Sequence, residues 1–305
     1  MRQGAGAGMI TGLRRLALLL AIGGTCAVLA GMGGWLHPAG DSLAAFRVQL
    51  LMGLVALSGI GVLLRARAAV AVAMAAALVA VAASWVTWWP MEVPQSVDLR
   101  LYSQNLRFTN AEAAAVVGGV RAFDADVVIL QEVSETTLPV FEMLSSGYDV
   151  AELCAFGTVG GVAVLSRLPL AGPALCERGQ GFLLVPLQTS AGPFSFGSAH
   201  LPWPWPHQQA RQAAKVAGVV AGQEGRMIIA GDFNMVPWGA SVQRIARASR
   251  TRVVPGLRLS FRRPDLWPGL PLDHVLVPEG VRARSQLLGA FGSDHLAVGT
   301  ELELR

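Results

Sequence analysis

The sequence predicts an α/β domain built from two packed sheets with helices outside, preceded by three membrane-spanning helices. Two observations carry this. In the second part of the chain, short apolar runs of strand length outnumber helical patterns, and several follow one another with no helix between them. That order is unlike a doubly wound parallel sheet, in which helices alternate with strands. The first part holds three long uncharged runs, and they account for a mean hydropathy of +0.48 with only 14% charged residues.

The uncharged runs define spans at about 16–35, 48–64 and 68–89. Residues 1–89 then form the membrane anchor, 90–97 a short Pro-containing linker and 98–305 the polar domain. Arg14 and Arg15 precede the first run, as in a signal peptide, but two further apolar runs follow, so a retained anchor is expected. With three spans, Arg2, Arg14 and Arg15 fall on the same face as Arg65 and Arg67, which is then cytoplasmic. Trp35, Trp85, Trp88 and Trp89 fall at the opposite face. The expected location is a bacterial-type inner membrane, multi-pass, with the polar domain extracytoplasmic. Two spans would reverse this.

Before Asp98 there are six basic and two acidic residues, and after Val97 eighteen of each. The basic character therefore belongs to the anchor, and it is no signature of nucleic-acid binding. Cys26 lies in the first apolar run. Cys154 and Cys176 lack the Cys and His spacing of a zinc site. They can pair in an oxidising compartment or remain two separate buried thiols.

In chain order, 98–106 reads as a strand ending at Asn105. Asn110 can cap a helix running to Phe123. Strands follow at 127–130, with Gln131-Glu132 at its end, at 161–166, closed by Arg167, and at 194–200, ending in His200. A helix fits 208–221. The apolar Ile228-Ile229-Ala230 strand then ends in Gly231-Asp232-Phe233-Asn234. Strands at 275–277 and 296–302 complete the set.

Polar residues thus recur where apolar runs stop: Asn105, Glu132, His200, Asp232, Asn234, Asp273, His274, Asp294 and His295. Each alone fits a turn or a solvated side chain. Together they suit one polar rim, because buried ionisable groups need partners or a metal. Carboxylates and carboxamides without thiolates suit a hard cation, Mg²⁺ or Mn²⁺. Two histidines beside acids suit acid–base work on a phosphate. A P-loop and a Gly-x-Ser-x-Gly elbow are both missing from the sequence, so an NTPase or serine-hydrolase reading has nothing to stand on.

Ser103-Gln104-Asn105, Leu130-Gln131-Glu132, Gly161 to Arg167, Ala199-His200-Leu201, Gly231-Asp232-Phe233-Asn234, Leu272-Asp273-His274-Val275 and Gly292-Ser293-Asp294-His295 occur in the order of the endonuclease/exonuclease/phosphatase superfamily, which the chain resembles over about 98–305. The resemblance implies a four-layered α/β sandwich and metal-dependent hydrolysis of a phosphoester. It implies a metal at Glu132 with Asn105 and Asp294 nearby, water activation by Asp232 and phosphate held by Asn234. It further implies a phosphate contact from His295 oriented by Asp273, and stabilisation or leaving-group protonation by His200. Arg107 stands where many relatives carry an Asp, so one tightly held metal is expected. Trp203, Trp205 and Arg167 are expected to bind substrate, whether a lipid headgroup, a nucleic acid or a small phosphodiester. The lipid bilayer is the expected partner, with no obligate protein partner evident. Alternative readings are a membrane-bound nuclease and a non-catalytic binding domain that retains the fold.

Overall fold

The computed structural model describes residues 2–88, 90, 93–157 and 159–305, with side chains from Gly8 onward. Trp89 of the expected aromatic belt, and Met91 and Glu92 of the expected linker, lie outside the described residues. The chain divides into two compact units, Met1–Trp85 with Trp238–Ala240, and Val86–Pro237 with Ser241–Arg305.

In the first unit, α1 (Arg2–Ala30) is followed by α2 (Ala39–Ala45), α3 (Arg47–Leu63) and α4 (Arg67–Ala82). Small residues line their contacts: Ala21, Ala73, Ala76 and Ala80 are buried with Val28 and Leu54, which lets the helix backbones approach closely. Arg14 Nε donates to Leu64 O at 2.7 Å, bringing the arginines of α1 to the α3–α4 turn. Within α1, Gly8–Ala30 is long and apolar enough to cross a membrane. A second candidate exists only if α2 and α3, bent by 59° to each other, count as one span. At 16 residues, α4 extends about 24 Å, short of the roughly 30 Å hydrocarbon core. The three spans expected from apolar runs therefore reduce to one helix that qualifies by itself.

The second unit contains, among the described residues, two six-stranded mixed sheets and a small hairpin. The first sheet orders β13 (Arg282–Leu287), β14 (Val298–Glu303), β1 (Leu99–Asn105), β2 (Val127–Val133), β4 (Gly161–Ser166) and β3 (Val150–Cys154). The second orders β5 (Leu175–Glu177), β6 (Phe182–Thr189), β7 (Gly192–His200), β8 (Arg226–Asp232), β12 (Asp273–Pro278) and β9 (Thr251–Val253). The hairpin pairs β10 (Phe261–Arg263) with β11 (Leu266–Leu270).

Alternation along the strands builds two cores. Leu101, Val127 and Ile129 face the second sheet's Phe196, Ile228 and Val275. Their neighbours Tyr102, Val128 and Leu130 face the opposite way, packing with Val116, Val117 and Val120 of α5 (Ala113–Phe123) and Val140 and Leu144 of α6 (Leu138–Ser145). In each sheet one central pair is parallel, β1 with β2 and β7 with β8. A parallel pair needs a crossover. Here α5 makes the first and α7 (Gln209–Ala221), burying Ala213, Val216 and Val220, makes the second. Helix α8 (Ala240–Ala248) precedes β9. The result is an α/β sandwich, as expected. The remaining sheet pairs are antiparallel, which is why strands followed one another in the sequence without helices.

Cys154 of β3 and Cys176 of β5 form a disulfide. These are edge strands of different sheets, so the bond staples the sandwich along one side. Two local expectations change. The helix after Asn110 begins at Ala113 without a side-chain cap. Asn110 Oδ1 instead accepts from Glu112 N–H, and its Nδ2 donates to Phe291 O, tying this turn to the loop before His295. Glu132 lies inside β2 and not beyond its end.

Candidate active site

Because β1, β2, β7 and β8 all run in the same sense toward one rim, Asn105, Glu132, His200 and Asp232 arrive there together. Strands β12 and β14 run the other way, so Asp273 at the start of β12 and His295 just before β14 reach the same rim. The register is explicit: His200 pairs with Asp232 across β7–β8, and Asp232 with Asp273 across β8–β12.

Local backbone features aim the side chains. The pairing of β2 with β4 shifts at Glu132, between Gln131 and Val133, and Glu132 adopts φ 58°. This bulge turns its carboxylate into the rim. Gly231 has φ 146°, and a Cβ there would stand 2.0 Å from Ala199 O. Glycine is thus required for β7 and β8 to approach beside Asp232. Ser293 Oγ accepts from His295 N–H at 3.0 Å and donates to Asn105 O at 2.8 Å, fastening the His295 loop to the end of β1.

Asn105 joins two carboxylates. Its Nδ2 donates to Glu132 Oε1 at 3.0 Å and to Asp232 Oδ2 at 2.9 Å, while its Oδ1 accepts from Arg107 N–H. Glu132 Oε2 accepts from Phe108 N–H at 2.7 Å. Asn234 N–H donates to Asp232 Oδ1 at 2.7 Å. Asn234 Nδ2 donates to Leu201 O at 2.8 Å and to Asp232 Oδ2 at 3.1 Å. Both Asn234 amide hydrogens are therefore engaged within the chain. Asn234 thus bonds both oxygens of the Asp232 carboxylate.

Two histidines flank Asp232 Oδ2, with His295 Nε2 at 3.7 Å and His200 Nε2 at 3.8 Å. The same His200 nitrogen is 3.6 Å from Glu132 Oε1. His295 Nδ1 lies 2.8 Å from Asp273 Oδ2, and Asp273 N–H donates to Ser260 Oγ. Burial opposes the His295 cation, but the carboxylates of Asp273 and Asp232 outweigh it and lift the imidazole to about 10. Burial also lifts Asp232, to about 7, against the pull of His295. His200 is pushed down by burial, with the Glu132 carboxylate opposing. His200 Nδ1 finds no partner among the described residues. The rim thus holds one cationic imidazole, one imidazole biased to neutrality and a carboxylate poised near neutral pH.

Atoms of Asp232, Asp273 and His295 lie within 4.8 Å of one another, a spacing compatible with a metal ion. His295 is an unsuitable ligand as placed, because Nδ1 is committed to Asp273 and a cationic imidazole has no free lone pair. The oxygens of Glu132 and Asp232, converging on one carboxamide, form the better donor set for a hard cation. Asp294 is half-buried beside His295 and helps hold that imidazole charged.

Arg167 does not join the others. Ser166 pairs with Val127, at the start of β2, whereas Glu132 is near the other end beside Gly161. Arg167 is therefore nearly a strand length from the rim, about 17 Å. It binds Asp124 at 2.8 Å and stacks over Tyr148. Strand β4 runs antiparallel to β2 and so carries Arg167 at its C-terminal end away from the other expected site residues. His274 also leaves the site. Its Nε2 meets Met235 O at 2.8 Å, and burial lowers it to about 4.

Sequence reasoning passed over Phe261. Its ring packs 4.9 Å from that of His295, and Trp203 meets its other side at 5.4 Å. Phe156 meets His200 edge-on at 6.4 Å. Neither phenylalanine stands in a recognisable motif, so only the three-dimensional arrangement reveals them. Beside Glu132, residues including Phe108, Ser134, Glu135, Phe156 and Gly160 line a groove of about 510 Å³.

A two-sheet sandwich presenting acids, carboxamides and histidines on one rim defines a phosphoesterase-type fold with a possible metal site. The chain belongs to the Endonuclease/Exonuclease/phosphatase family, whose model matches residues 102–295. No match is found among curated proteins. Solved structures share the fold. The beta toxin of Staphylococcus aureus, determined with bound magnesium ions, is 13% identical, with a TM-score of 0.53 over 67% of this chain and 99% of its own. The human nocturnin catalytic domain, with bound sulfate, is 16% identical, with a TM-score of 0.54 over 68% and 94%. Sphingomyelinase C from Streptomyces griseocarneus is 15% identical, with a TM-score of 0.50 over 68% and 99%.

Proposed function

We propose that the chain is a membrane-anchored phosphoesterase that uses a divalent cation, Mg²⁺ or Mn²⁺, to hydrolyse a phosphodiester, with residues 1–89 as anchor and 98–305 as catalytic domain. The observation that carries this reading is the convergence of Glu132, Asp232 and the Asp273–His295 pair at one rim. Glu132 would hold the cation, with Asn105 and Asp294 near that site; ligation by Asn105 would require its Oδ1 to leave Arg107 N–H. When bound, such a cation neutralises charge on the phosphoryl oxygens and lowers the pKa of the attacking water.

The chain's own groups do the rest. Asp232, fixed by the amides of Asn105 and Asn234, accepts the proton of the attacking water. His295 donates from Nε2 to a phosphoryl oxygen, while Asp273 retains the proton on Nδ1 and sets the ring plane. His200 approaches from the opposite side and donates from Nε2 toward the leaving oxygen. Asn234 keeps Asp232 aligned; holding phosphate directly would require its amide to leave Leu201 O. Trp203 and Trp205 border the substrate.

A lipid phosphodiester is favoured over nucleic acid. Among the described residues lining the groove beside Glu132 there is no lysine or arginine, whereas a polymer of phosphates is held by such cations. The Cys154–Cys176 disulfide supports an extracytoplasmic catalytic domain, and the contact of Arg14 with Leu64 O supports a shared cytoplasmic end for Arg14, Arg65 and Arg67. The test is hydrolysis by the full chain, with Mg²⁺, of phospholipid vesicles, plasmid DNA and RNA. Lipid hydrolysis supports the reading, and cleavage of DNA or RNA alone favours the nuclease alternative. Alkaline phosphatase fused after Arg305 should be active in cells; an inactive, well-expressed fusion would contradict the topology.

A further inference from the structure

The ring of His295 has one side-chain hydrogen bond, from Nδ1 to Asp273 Oδ2. A single bond leaves the ring room to turn, because the torsion that swings an imidazole is broad. The carboxylate is itself held on one side only, since Asp273 Oδ1 has no partner among the described residues. Something else must fix the pair if Nε2 is to keep one direction.

The segment Ser260-Phe261-Arg262 meets both members of the pair. Ser260 is fully buried. Its Oγ accepts from Asp273 N–H at 3.1 Å and from Leu272 N–H at 3.3 Å, and its carbonyl accepts from Leu296 N–H at 2.9 Å. Arg262 N–H donates to Asp294 O, also at 2.9 Å. The bonds to residues 294 and 296 flank a bridge between Phe261 and His295. They make these two a non-hydrogen-bonded antiparallel pair, the kind whose side chains stand closest and on one face. The Phe261 ring is 4% exposed and lies 4.9 Å from the imidazole, tilted by 53°. Leu270 and Leu272 share its buried cluster, and Trp203 meets it at 5.4 Å. The segment is also rooted at its start. Buried Arg258 donates to Val254 O and Pro255 O, and Val254 N–H donates to Val275 O of β12.

We propose that Ser260 and Phe261 are positioning residues that clamp the Asp273–His295 pair: Ser260 sets the backbone of Asp273, and Phe261 stops the His295 ring from turning away from the direction in which Nε2 faces a phosphoryl oxygen. This rests on the catalytic reading of His295 above. Both residues act through the pair and not on substrate. A catalytic group works within about 0.5 Å of its productive geometry, and a misplacement of about 1 Å costs about a hundredfold in rate. Loss of the Phe261 ring should therefore lower kcat roughly ten- to a hundredfold without weakening substrate binding.

The test uses the purified full chain with Mg²⁺ and bis-p-nitrophenyl phosphate. Phe261→Leu should lower kcat at least tenfold with KM within twofold of wild type. Phe261→Tyr keeps the ring and should recover kcat to within threefold. Leu266→Ala thins the same hydrophobic cluster from a position paired with Arg263, so its melting temperature should fall while kcat stays within twofold. Histidine-labelled protein gives a readout apart from turnover. By NMR, the proton on His295 Nδ1 should exchange with water at least tenfold faster in Phe261→Leu and in Ser260→Ala than in the wild type. A Phe261→Leu kcat within threefold of wild type overturns the proposal, as does a rise in KM with kcat intact. A Phe261→Tyr or Leu266→Ala variant as slow as Phe261→Leu also overturns it, and so does unchanged exchange of the Nδ1 proton in either variant. A wild type that turns over no phosphodiester overturns the catalytic reading, and the exchange rates then decide the clamp by themselves. Should Phe261→Leu not fold, Phe261→Met carries the same comparisons.

Discussion

Replacing Asp273 with Asn tests the electrostatic centre of the site. In the wild type the carboxylate sits 2.8 Å from His295 Nδ1 and holds the imidazole charged, at about 10. Asn keeps the shape but removes the charge, and burial then acts on His295 with one carboxylate fewer. With a pKa at or below the ordinary value near 6.5, at most about one-tenth of His295 is protonated at pH 7.5. Protonation alone therefore costs about tenfold. Loss of the fixed ring plane and tautomer adds roughly ten- to a hundredfold, so kcat/KM falls about 100- to 1000-fold. The pH profile separates this from general damage. Wild-type kcat/KM rises as Asp232 ionises near pH 7 and stays high until His295 loses its proton near pH 10. In the variant the alkaline limb moves toward neutrality, leaving a low, narrow maximum. Stability follows the same group. A folded-state pKa raised above the unfolded value contributes fully below about pH 6.5 and is lost as pH rises through about 10. Chemical denaturation of the wild type should therefore weaken over that window more than in Asp273→Asn. A variant within threefold of wild type at pH 7.5, with its plateau intact to pH 9, would refute the assignment of His295 as a carboxylate-held cation.

Other outcomes follow from the same geometry. Glu132→Gln should weaken Mn²⁺ binding at least tenfold by electron paramagnetic resonance while the melting temperature stays within a few degrees; unchanged binding would move the metal elsewhere. Cys154→Ser with Cys176→Ser opens a 22-residue separation and should cost about 3 kcal/mol in denaturant unfolding; thiol titration of the unfolded, unreduced wild type should find one free cysteine, Cys26. Arg167→Ala should leave kcat/KM within twofold, since its partner is Asp124; a tenfold rise in KM would restore it to the site.

The order of motifs was readable because Asn105, Glu132, His200 and Asp232 each close an apolar run, which the parallel central strands deliver to one rim, while Asp273 and His295 stand just before apolar runs that run the other way. Strand direction was not readable, and it decided Arg167: the Ser166-Arg167 end looks equivalent to Gly231-Asp232 until β4 is known to run antiparallel. Strand β6 escaped notice because Pro186 interrupts it. Pro is tolerated there since β5 pairs only with Phe182–Leu184, leaving the rest of β6 without that neighbour. Strand β13, Arg-Ala-Arg-Ser-Gln-Leu, is a polar edge strand with little apolar pattern. The Cys154–Cys176 pairing depended on two sheet edges meeting, which spacing cannot reveal. Apolar runs located the anchor, but the bend between α2 and α3 and the shortness of α4 are properties of the backbone, not of hydropathy.

The most direct measurement is hydrolysis of bis-p-nitrophenyl phosphate by the purified full chain. The expected result is turnover with Mg²⁺ or Mn²⁺ that EDTA abolishes, restored on adding the metal back, and reduced at least about a thousandfold in Asp232→Ala. Turnover indifferent to EDTA, or equal in wild type and Asp232→Ala, would contradict a metal-dependent phosphoesterase centred on Glu132, Asp232 and His295.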